Sequence, residues 1–230
     1  RPEVNIVTVE DPIEYEILRV NQTQVNPKAG ITFANGLRSL LRQNPDIIMI
    51  GEIRDTETVD IAVHSALTGH LVLSSLHTND APSALPRLLD MGAPAFLLSS
   101  TVNMIIAQRL VRKICKSCVE SYDISPEIKK LITAQFELSG DGKIKKVPKS
   151  LYRGKGCKVC GGSGFQGQIG IFEILKITDS IRDLILKQSS ASEIRKLAVK
   201  EGMNSMFNDG LEKVEKGITT VEEIIRVVRE

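Results

Sequence analysis

The stretch from Asp46 to Asp80, DIIMIGEIRDTETVDIAVHSALTGHLVLSSLHTND, decides the fold class because it contains two apolar segments that both end in polar side chains. The segment IIMI leads into Glu52, and the segment LVLSSL leads into His77. Short apolar runs of this kind are typical of buried strands in a parallel sheet. Open α/β sheets bind their ligands at the carboxyl ends of such strands. We therefore expect Glu52 and His77 to lie close together at one edge of a sheet.

Strand and helix patterns alternate around this stretch, which is typical of a parallel sheet with helices on its faces. Thr56 is the expected N-cap of the helix between the two strands, and Gly69 is its expected end. After Asp80 we expect a helical hairpin that continues to about Leu110. The remaining elements predicted in this half are a strand at residues 5–10, a helix at residues 33–43, and strands at residues 46–50 and 71–76.

The pattern changes twice in the second half of the chain. Between Val111 and Thr178 it breaks into short pieces with cysteines and glycines, and from Asp179 it is helical again. We therefore predict three parts: residues 1–110 as an α/β core, residues 111–177 as a tetracysteine zinc module, and residues 178–230 as a small helical subdomain.

Composition indicates an ordinary globular protein. The chain has 230 residues, of which 42% are hydrophobic and 25% charged, and a formal net charge of +2. No segment reaches the roughly 18 to 20 uncharged apolar residues of a membrane span, so any membrane association is expected to come through a partner. The near-neutral charge and an aromatic content of 4% count against nucleic-acid binding.

Four cysteines form two C-x-x-C pairs, Cys115 with Cys118 and Cys157 with Cys160. This spacing places two thiolates at two corners of a metal tetrahedron, and two such pairs complete a four-sulfur zinc site. Four protein ligands leave no open position for water, so the zinc is expected to be structural. Two redox disulfides and unpaired free thiols remain as alternatives.

Carboxylates also follow the first predicted strand, in the segment TVEDPIE at residues 8–14. Glu10, Asp11 and Glu14 are able to hold magnesium or orient an attacking water, although an acidic turn before a proline is the alternative. Glu52 is the stronger candidate, since it directly follows a buried strand and Gly51.

Cationic side chains accompany the carboxylates. His77 is placed to contact a γ-phosphate, whereas His70 precedes its strand and is expected to pack or cap. Arg54 forms either an ion pair with Asp55 or a contact to a neighbouring subunit. A P-loop, G-x-x-x-x-G-K-[ST], is absent, so we expect this stretch alone to bind nucleotide poorly and to be part of a larger protein.

Three segments occur in a recognisable order: VTVEDPIE at residues 7–14, NPDIIMIGEIRD at residues 44–55 and TGHLVLSSLHTND at residues 68–80. They resemble the Asp box, the Walker B segment and the His box of the secretion ATPases that power type II secretion and type IV pilus assembly. The segments AQRLVRKIC, GIFEIL and EKGITTVEEIIRVV are also similar to that family. The resemblance covers nearly all of the chain.

The resemblance implies a RecA-like ATPase core, here partial, that uses ATP and Mg²⁺. It implies that Glu52 is the catalytic glutamate acting through magnesium-bound water, with Glu10 and Asp11 assisting at the metal and the water. His77 would couple the γ-phosphate to conformational change. The further candidates for nucleotide or subunit contacts are Glu14, Arg54, His70, Arg109 and Arg112.

The resemblance also implies a hexamer whose motions act on an inner-membrane platform protein. A nucleic-acid partner is not expected. Such a motor is cytoplasmic and associates with the inner membrane through its partners. Retraction motors generally lack a tetracysteine module, so the resemblance favours a pilus extension motor or a secretion motor. One departure is Gln168, which stands where the family often has arginine before G-x-x-E.

Two other function classes remain open. The first is a zinc-stabilised adaptor that docks on a membrane platform protein and performs no chemistry. The second is a RecA-like nucleic-acid motor, which would bind single strands in a salt-dependent way. Charge and aromatic content count against this second class.

Overall fold

The structure is a computed structural model that describes residues 3–139 and 150–229. These residues form two compact units, each assembled from separate stretches of the sequence. Residues 140–149 of the predicted zinc module lie outside the described residues. Within the described ranges, no helix combines the length and apolar character needed to cross a membrane.

The first unit is an α/β unit made from the described residues up to Thr78, together with Ser83–Asn103 and Thr178–Ala191. Its sheet contains four parallel strands: β1 (Ile6–Glu10), β2 (Val20–Gln24), β3 (Ile47–Ile50) and β4 (Leu71–Ser74). The strands lie in the order β2-β1-β3-β4. The parallel α/β sheet expected from the sequence is therefore confirmed.

Helices pack against this sheet and against one another, and apolar side chains of both element types form the core. Val9 and Ile50 on the strands, Leu37 on the first helix and Leu98 on the fourth are completely buried. Such burial supplies most of the stabilising free energy of a small unit. The helices of the first unit are α1 (Phe33–Leu40), α2 (Thr56–Leu67), α3 (Ala84–Asp90), α4 (Ala95–Thr101) and α6 (Asp179–Leu186).

The second unit contains Asn79–Pro82, Met104–Ile177 and the described residues from Ser192 onward. It has two antiparallel strand pairs, β5 (Met104–Ile114) with β8 (Phe165–Lys176) and β6 (Val119–Asp123) with β7 (Ser150–Gly154). Its core includes an edge-to-face pair of Phe136 and Phe207, whose ring centroids are 5.3 Å apart. Its helices are α5 (Pro126–Ser139), α7 (Ala191–Lys200), α8 (Met206–Glu215) and α9 (Val221–Arg229).

Two expectations about these elements differ from the structure. The N-cap of α2 is Asp55 and not Thr56, because the Asp55 carboxylate accepts a hydrogen bond from the Thr58 N–H at 2.7 Å. The predicted helical hairpin after Asp80 ends at Thr101, and the chain then enters β5. Exposed and less exposed side chains alternate along most of β5. This alternation is typical of a strand, and the prediction of helix for these residues was wrong.

The helices predicted after residue 178 are present, but a separate C-terminal helical subdomain is not confirmed. Helix α6 belongs to the first unit, whereas α7, α8 and α9 lie in the second unit with its strands. The predicted division after residues 110 and 177 stays a prediction beside these two units.

A buried carboxylate connects α9 to β5 in the second unit. Glu223 is 2% exposed, and it accepts hydrogen bonds from the Arg112 backbone N–H at 3.0 Å and the Arg112 guanidinium at 2.5 Å. Arg226 adds a further contact at 3.1 Å. The hydrogen bonds from Arg112, followed by those from Arg226, lower the pKa of Glu223 to about 2.

Substituting Glu223→Gln is expected to lower the free energy of unfolding by about 1–3 kcal/mol at pH 7, because charge-assisted hydrogen bonds are lost. A carboxyl group with a lowered pKa stabilises the fold fully above its unfolded value of 4.5 and loses this contribution as pH falls towards about 2. The difference between wild type and variant should therefore shrink between pH 5 and pH 3 in urea unfolding curves.

Glu222→Gln is the matched control, because Glu222 is the exposed neighbour in the same helical turn. An unchanged difference between wild type and Glu223→Gln across this pH range would contradict the assignment.

Candidate functional site

Glu52 lies directly beyond the carboxyl end of β3, as the sequence predicts. The Gly51 N–H donates to the Val9 carbonyl at 2.8 Å, which continues the pairing of β3 with β1 past the last strand residue. A Cβ at Gly51 would lie 3.3 Å from both the Val9 oxygen and the Glu10 Cα, so glycine permits this close approach. The Glu52 side chain is 13% exposed and is held at this end of the sheet.

His77 lies beside Glu52, with its Nε2 2.8 Å from Glu52 Oε2. Two hydrogen bonds join the segments that carry these side chains: Ser75 Oγ donates to the Gly51 carbonyl at 2.6 Å, and the Ile53 N–H donates to the Ser75 carbonyl at 3.0 Å. The His77 side chain is 86% exposed, so the imidazole can reach a ligand in solvent. The structure therefore brings the two polar groups together, as expected from the parallel strands.

Arg54 completes the immediate surroundings of Glu52. It donates to Glu52 Oε1, and its Nη1 lies 3.6 Å from Asp11 Oδ2. The hydrogen bond from Arg54, followed by the one from His77, lowers the pKa of the Glu52 carboxyl below its ordinary value. Glu52 is therefore ionised at neutral pH, and each of its two oxygens already has a cationic or imidazole partner. Of the two expected uses of Arg54, the structure shows an ion pair, formed with Glu52 and Asp11 and not with Asp55.

The carboxylates after β1 lie at the same end of the sheet. Glu10 Oε1 accepts hydrogen bonds from Thr8 Oγ1 at 2.6 Å and from Gln22 Nε2 at 2.8 Å. Asp11 is partly exposed and faces Arg54, whereas Glu14 is exposed in the segment that follows. Glu10 is thus fixed by its neighbours, and Asp11, which shares Arg54 with Glu52, is the more exposed of these two carboxylates.

His70 lies at the opposite end of β4. Its Nδ1 is 2.9 Å from the Ser65 carbonyl and 3.1 Å from Thr68 Oγ1, so the ring joins the end of α2 to the start of β4. The expectation that this histidine packs or caps agrees with these contacts. The structure does not bring His70 together with Glu52, because the amino and carboxyl ends of β4 are at opposite edges of the sheet.

Arg109 and Arg112 lie on β5 in the second unit. Arg109 Nη2 donates to Asn79 Oδ1 at 3.0 Å. The Arg112 guanidinium binds Glu223 and stacks over Phe165, with its central carbon 4.3 Å from the ring centroid. Arg112 therefore already has a structural role in the second unit.

The four cysteines come together in the second unit, and their sulfur atoms all lie within 4.8 Å of one another. Cys115 and Cys157 are 4.0 Å apart, Cys118 and Cys160 are 3.9 Å apart, and Cys157 and Cys160 are 3.8 Å apart. Four thiolates bound tetrahedrally at about 2.3 Å from one ion have sulfur–sulfur distances of about 3.8 Å. The cluster therefore has the dimensions of a tetrahedral metal site.

The backbone around the cluster favours thiolate sulfur. The N–H groups of Cys157 and Gly164 donate to Cys160 Sγ at 3.2 and 3.3 Å. Chiefly because of the Cys157 N–H, the pKa of Cys160 falls to about 6, whereas burial raises the pKa of Cys118 to about 12. A hard oxygen-seeking ion does not suit this donor set, and four sulfur ligands suit zinc.

Several contacts could not be identified from the sequence. Gln22 orients Glu10, and Ser75 joins the segments after β3 and β4, but polar residues next to strands give no specific signal. Glu173 is a buried carboxylate that binds Arg195 at 3.1 Å in the second unit. Its position inside the apolar run GIFEIL was the available signal, because an acidic residue in a buried strand needs a partner.

Comparison with protein families shows one match over nearly the whole chain. Residues 1–226 match the family described as type II/IV secretion system protein. The chain is 48% identical to a type IV pilus assembly ATPase PilB from Thermus thermophilus, covering 97% of this chain and 24% of that protein. It is 47% identical to a type II secretion system ATPase E from Vibrio cholerae, covering 99% of this chain and 43% of that protein.

The fold agrees with a solved structure, the pilus retraction motor PilT with bound ADP. The TM-score is 0.67 and the sequence identity 27%, over 97% of this chain and 52% of that chain. The present chain thus spans about a quarter to a half of the length of these similar proteins.

Removal of one cysteine sulfur should abolish stoichiometric metal binding. We expect Cys157→Ser to lower the zinc content, measured by mass spectrometry of the purified protein, from one ion per chain to near zero. Because metal binding contributes directly to the stability of such sites, the melting temperature should also fall.

The control is Lys158→Gln, which changes an exposed side chain between two of the cysteines and removes no sulfur. Retention of one zinc per chain in Cys157→Ser would show that the four sulfurs do not form the metal site.

Proposed function

Because the chain belongs to the type II/IV secretion system protein family, we propose that it is part of an ATP-hydrolysing hexameric motor. This motor would power type IV pilus assembly or type II protein secretion. The observation that carries the proposal is the Glu52 carboxylate at the carboxyl end of the parallel sheet, hydrogen-bonded to His77 and paired with Arg54. Membership of the family supports ATP hydrolysis as the reaction, and the geometry supports Glu52, His77 and Arg54 as the side chains that take part in it.

The acidic groups at this end of the sheet suit Mg²⁺, which prefers oxygen ligands. Glu52 and Asp11 would hold the metal or its bound waters, and Mg²⁺ would neutralise charge on the β- and γ-phosphates of ATP. Glu52 is ionised, so it can orient a water molecule and accept its proton. Glu10, fixed by Thr8 and Gln22, would keep the adjacent Asp11 in position.

Arg54 and His77 now occupy both oxygens of Glu52, and this arrangement suggests how the site is switched. A γ-phosphate also accepts charge-assisted hydrogen bonds from guanidinium and imidazolium groups, so it would compete with Glu52 for these two partners. We propose that nucleotide draws His77, and in part Arg54, away from Glu52 and thereby frees the carboxylate. The high exposure of His77 is consistent with such a movement.

The backbone N–H groups and the lysine of a P-loop normally hold a triphosphate, and this sequence contains no G-x-x-x-x-G-K-[ST] segment. Strand β4 is paired on one side only among the described residues, and Leu71 and Leu73 are each 50% exposed. Unpaired edges with apolar side chains are normally covered in native proteins. We propose that a strand from another part of the parent protein covers β4 and carries the phosphate-binding loop to the same end of the sheet.

The second unit would act as a structural and coupling part. We propose that the four cysteines hold structural zinc, because their sulfur atoms match a closed tetrahedral site. Arg109 remains a candidate nucleotide or interface sensor, and Glu14 and His70 remain weaker candidates. Arg112 is less suited to this role because Glu223 already binds it.

The choice between pilus assembly and type II secretion stays open, since the identities of 48% and 47% to the two kinds of ATPase are nearly equal. For both, we propose a cytoplasmic motor attached to the inner membrane through a platform protein. The adaptor hypothesis, in which the zinc unit only docks, differs from the motor hypothesis in requiring no catalytic role for Glu52.

Glu52→Gln should abolish ATP turnover in a longer form of the protein that includes the phosphate-binding segment. Loss of a general base lowers turnover by about 10²–10⁴-fold, whereas the shape of the side chain and nucleotide binding are retained. Steady-state phosphate release and nucleotide affinity are the two measurements.

The control is Glu57→Gln, which changes an exposed carboxylate on α2 that pairs only with Arg38 among the described ion pairs. Turnover by Glu52→Gln at the wild-type rate would overturn the role of Glu52, and the absence of hydrolysis in the wild-type protein would favour the adaptor hypothesis.

A further inference from the structure

The side-chain amide of Gln22 on β2 makes three hydrogen bonds. Its Nε2 donates to Glu10 Oε1 at 2.8 Å and to the Tyr15 carbonyl at 3.0 Å, and its Oε1 accepts from the Ile17 N–H at 2.7 Å. A glutamine amide has two N–H donors and one acceptor oxygen, so both donors and the acceptor are in use. Gln22 therefore joins a candidate carboxylate of the site to the backbone of the loop that follows it.

The pairing of β1 with β2 explains how Gln22 reaches Glu10. Gln22 pairs with Thr8, and Glu10 lies two residues after Thr8 on the same face of the sheet. The Thr8 hydroxyl donates to the same Glu10 oxygen at 2.6 Å, and Thr8 is buried. Glu10 Oε1 thus has one donor from its own strand and one from β2, and the donor from β2 is also bonded to the loop.

The loop of residues 11–19 joins β1 to β2, and apolar packing does not hold its tip. Tyr15 is 81% exposed and Leu18 is 89% exposed. Arg19, in the turn before β2, has a φ of +65°, a left-handed conformation that is uncommon for residues other than glycine. Because burial contributes little at this tip, the two hydrogen bonds between Gln22 and the loop backbone contribute to its conformation.

The first residue of this loop belongs to the candidate site. Asp11 Oδ2 lies 3.6 Å from Arg54 Nη1, and Arg54 also binds Glu52. The Gln22 amide binds Glu10 directly before Asp11 and the loop backbone after it. It therefore restrains the chain on both sides of Asp11.

These contacts require an amide at position 22. A carboxylate there would lie next to the Glu10 carboxylate, and two like charges at this distance repel each other. An aliphatic side chain would remove one donor from Glu10 and would leave the loop backbone without its partner.

We propose that Gln22 is a positioning residue of the candidate site: its amide holds the Glu10 carboxylate and the loop of residues 11–19 in one arrangement, in which Asp11 faces Arg54. Its contribution to catalysis rests on the proposed function, in which Asp11 helps to hold the metal. Its attachment of the loop is a property of the first unit, so this part can be tested without nucleotide.

The first test measures the loop in the 230-residue chain by hydrogen exchange, with ¹⁵N-labelled isoleucine and NMR detection. Gln22→Leu should speed exchange of the Ile17 N–H by about tenfold or more, because this group loses its acceptor. The Ile48 N–H in the buried strand β3 should exchange at the wild-type rate, which shows that the variant is folded. Wild-type exchange of Ile17 in Gln22→Leu would overturn the proposal.

The second test measures ATP turnover in a longer form of the protein that includes the phosphate-binding segment. Gln22→Leu should lower kcat by about 10- to 100-fold, because small displacements of catalytic groups cost this much, and nucleotide affinity should stay within about twofold. Wild-type kcat, or an equal loss of kcat and nucleotide affinity, would overturn the positioning role.

The third test is the pH profile of Gln22→Glu in the same longer form. Turnover relative to wild type should be low at pH 8 and should rise as the pH falls towards 6, because two close carboxylates can share a proton that restores the lost hydrogen bond. The ratio for Gln22→Leu should not change with pH, since its side chain has no proton to gain. Parallel profiles for the two variants would contradict a direct contact between Gln22 and Glu10.

The matched control for all three tests is Gln24→Leu, which changes an exposed glutamine of the same strand. It should leave Ile17 exchange and turnover at wild-type values. If the wild-type longer form hydrolyses no ATP, the proposed function fails, whereas the exchange of Ile17 still decides whether Gln22 holds the loop.

Discussion

The parallel register of β1, β3 and β4 is the constraint on which the candidate site depends. Val9 pairs with Ile50, and Ile50 pairs with Ser74, so the three strands end at the same level. The polar residues that follow each strand must then emerge together. A shift by one residue would turn the buried side chains to the opposite face of the sheet, so core packing enforces the register. The same packing that stabilises the first unit therefore also positions Glu52 beside His77.

Two carboxylates share one guanidinium at this end of the sheet. Glu52 and Asp11 both lie near Arg54, and the guanidinium offsets the repulsion that two nearby carboxylates would otherwise experience. A metal ion could take over this function, because it neutralises the same charges. In the structure both oxygens of Glu52 have hydrogen-bond partners, Arg54 and His77. These hydrogen bonds lower the pKa of Glu52, so the carboxylate is ionised without a bound ligand. A bound cation would therefore have to replace Arg54 or His77 at the Glu52 oxygens.

Prediction from the sequence was correct where a local pattern is typical of only one kind of structure. Apolar runs that end in polar groups predicted the strands at residues 6–10 and 47–50 and the contact between Glu52 and His77. The spacing of the four cysteines predicted that their sulfur atoms lie together. It was wrong after Asp80, where alternating polar and apolar residues in β5 were assigned to a helix. It could not identify the pairing of Arg112 with Glu223, since the two residues are far apart in the chain and only tertiary packing unites them.

The chain itself connects the candidate site to the second unit over a very short distance. His77 contacts Glu52 in the first unit, whereas Asn79 already belongs to the second unit and binds Arg109. Only Thr78 separates them in the chain, so two residue steps, at most about 7 Å, join the Cα atoms of His77 and Asn79. Asp80 and Ala81 are fixed in turn by Arg195 and Glu173. His77 is therefore followed, within four residues along the chain, by a segment whose side chains and backbone are bonded to other parts of the second unit.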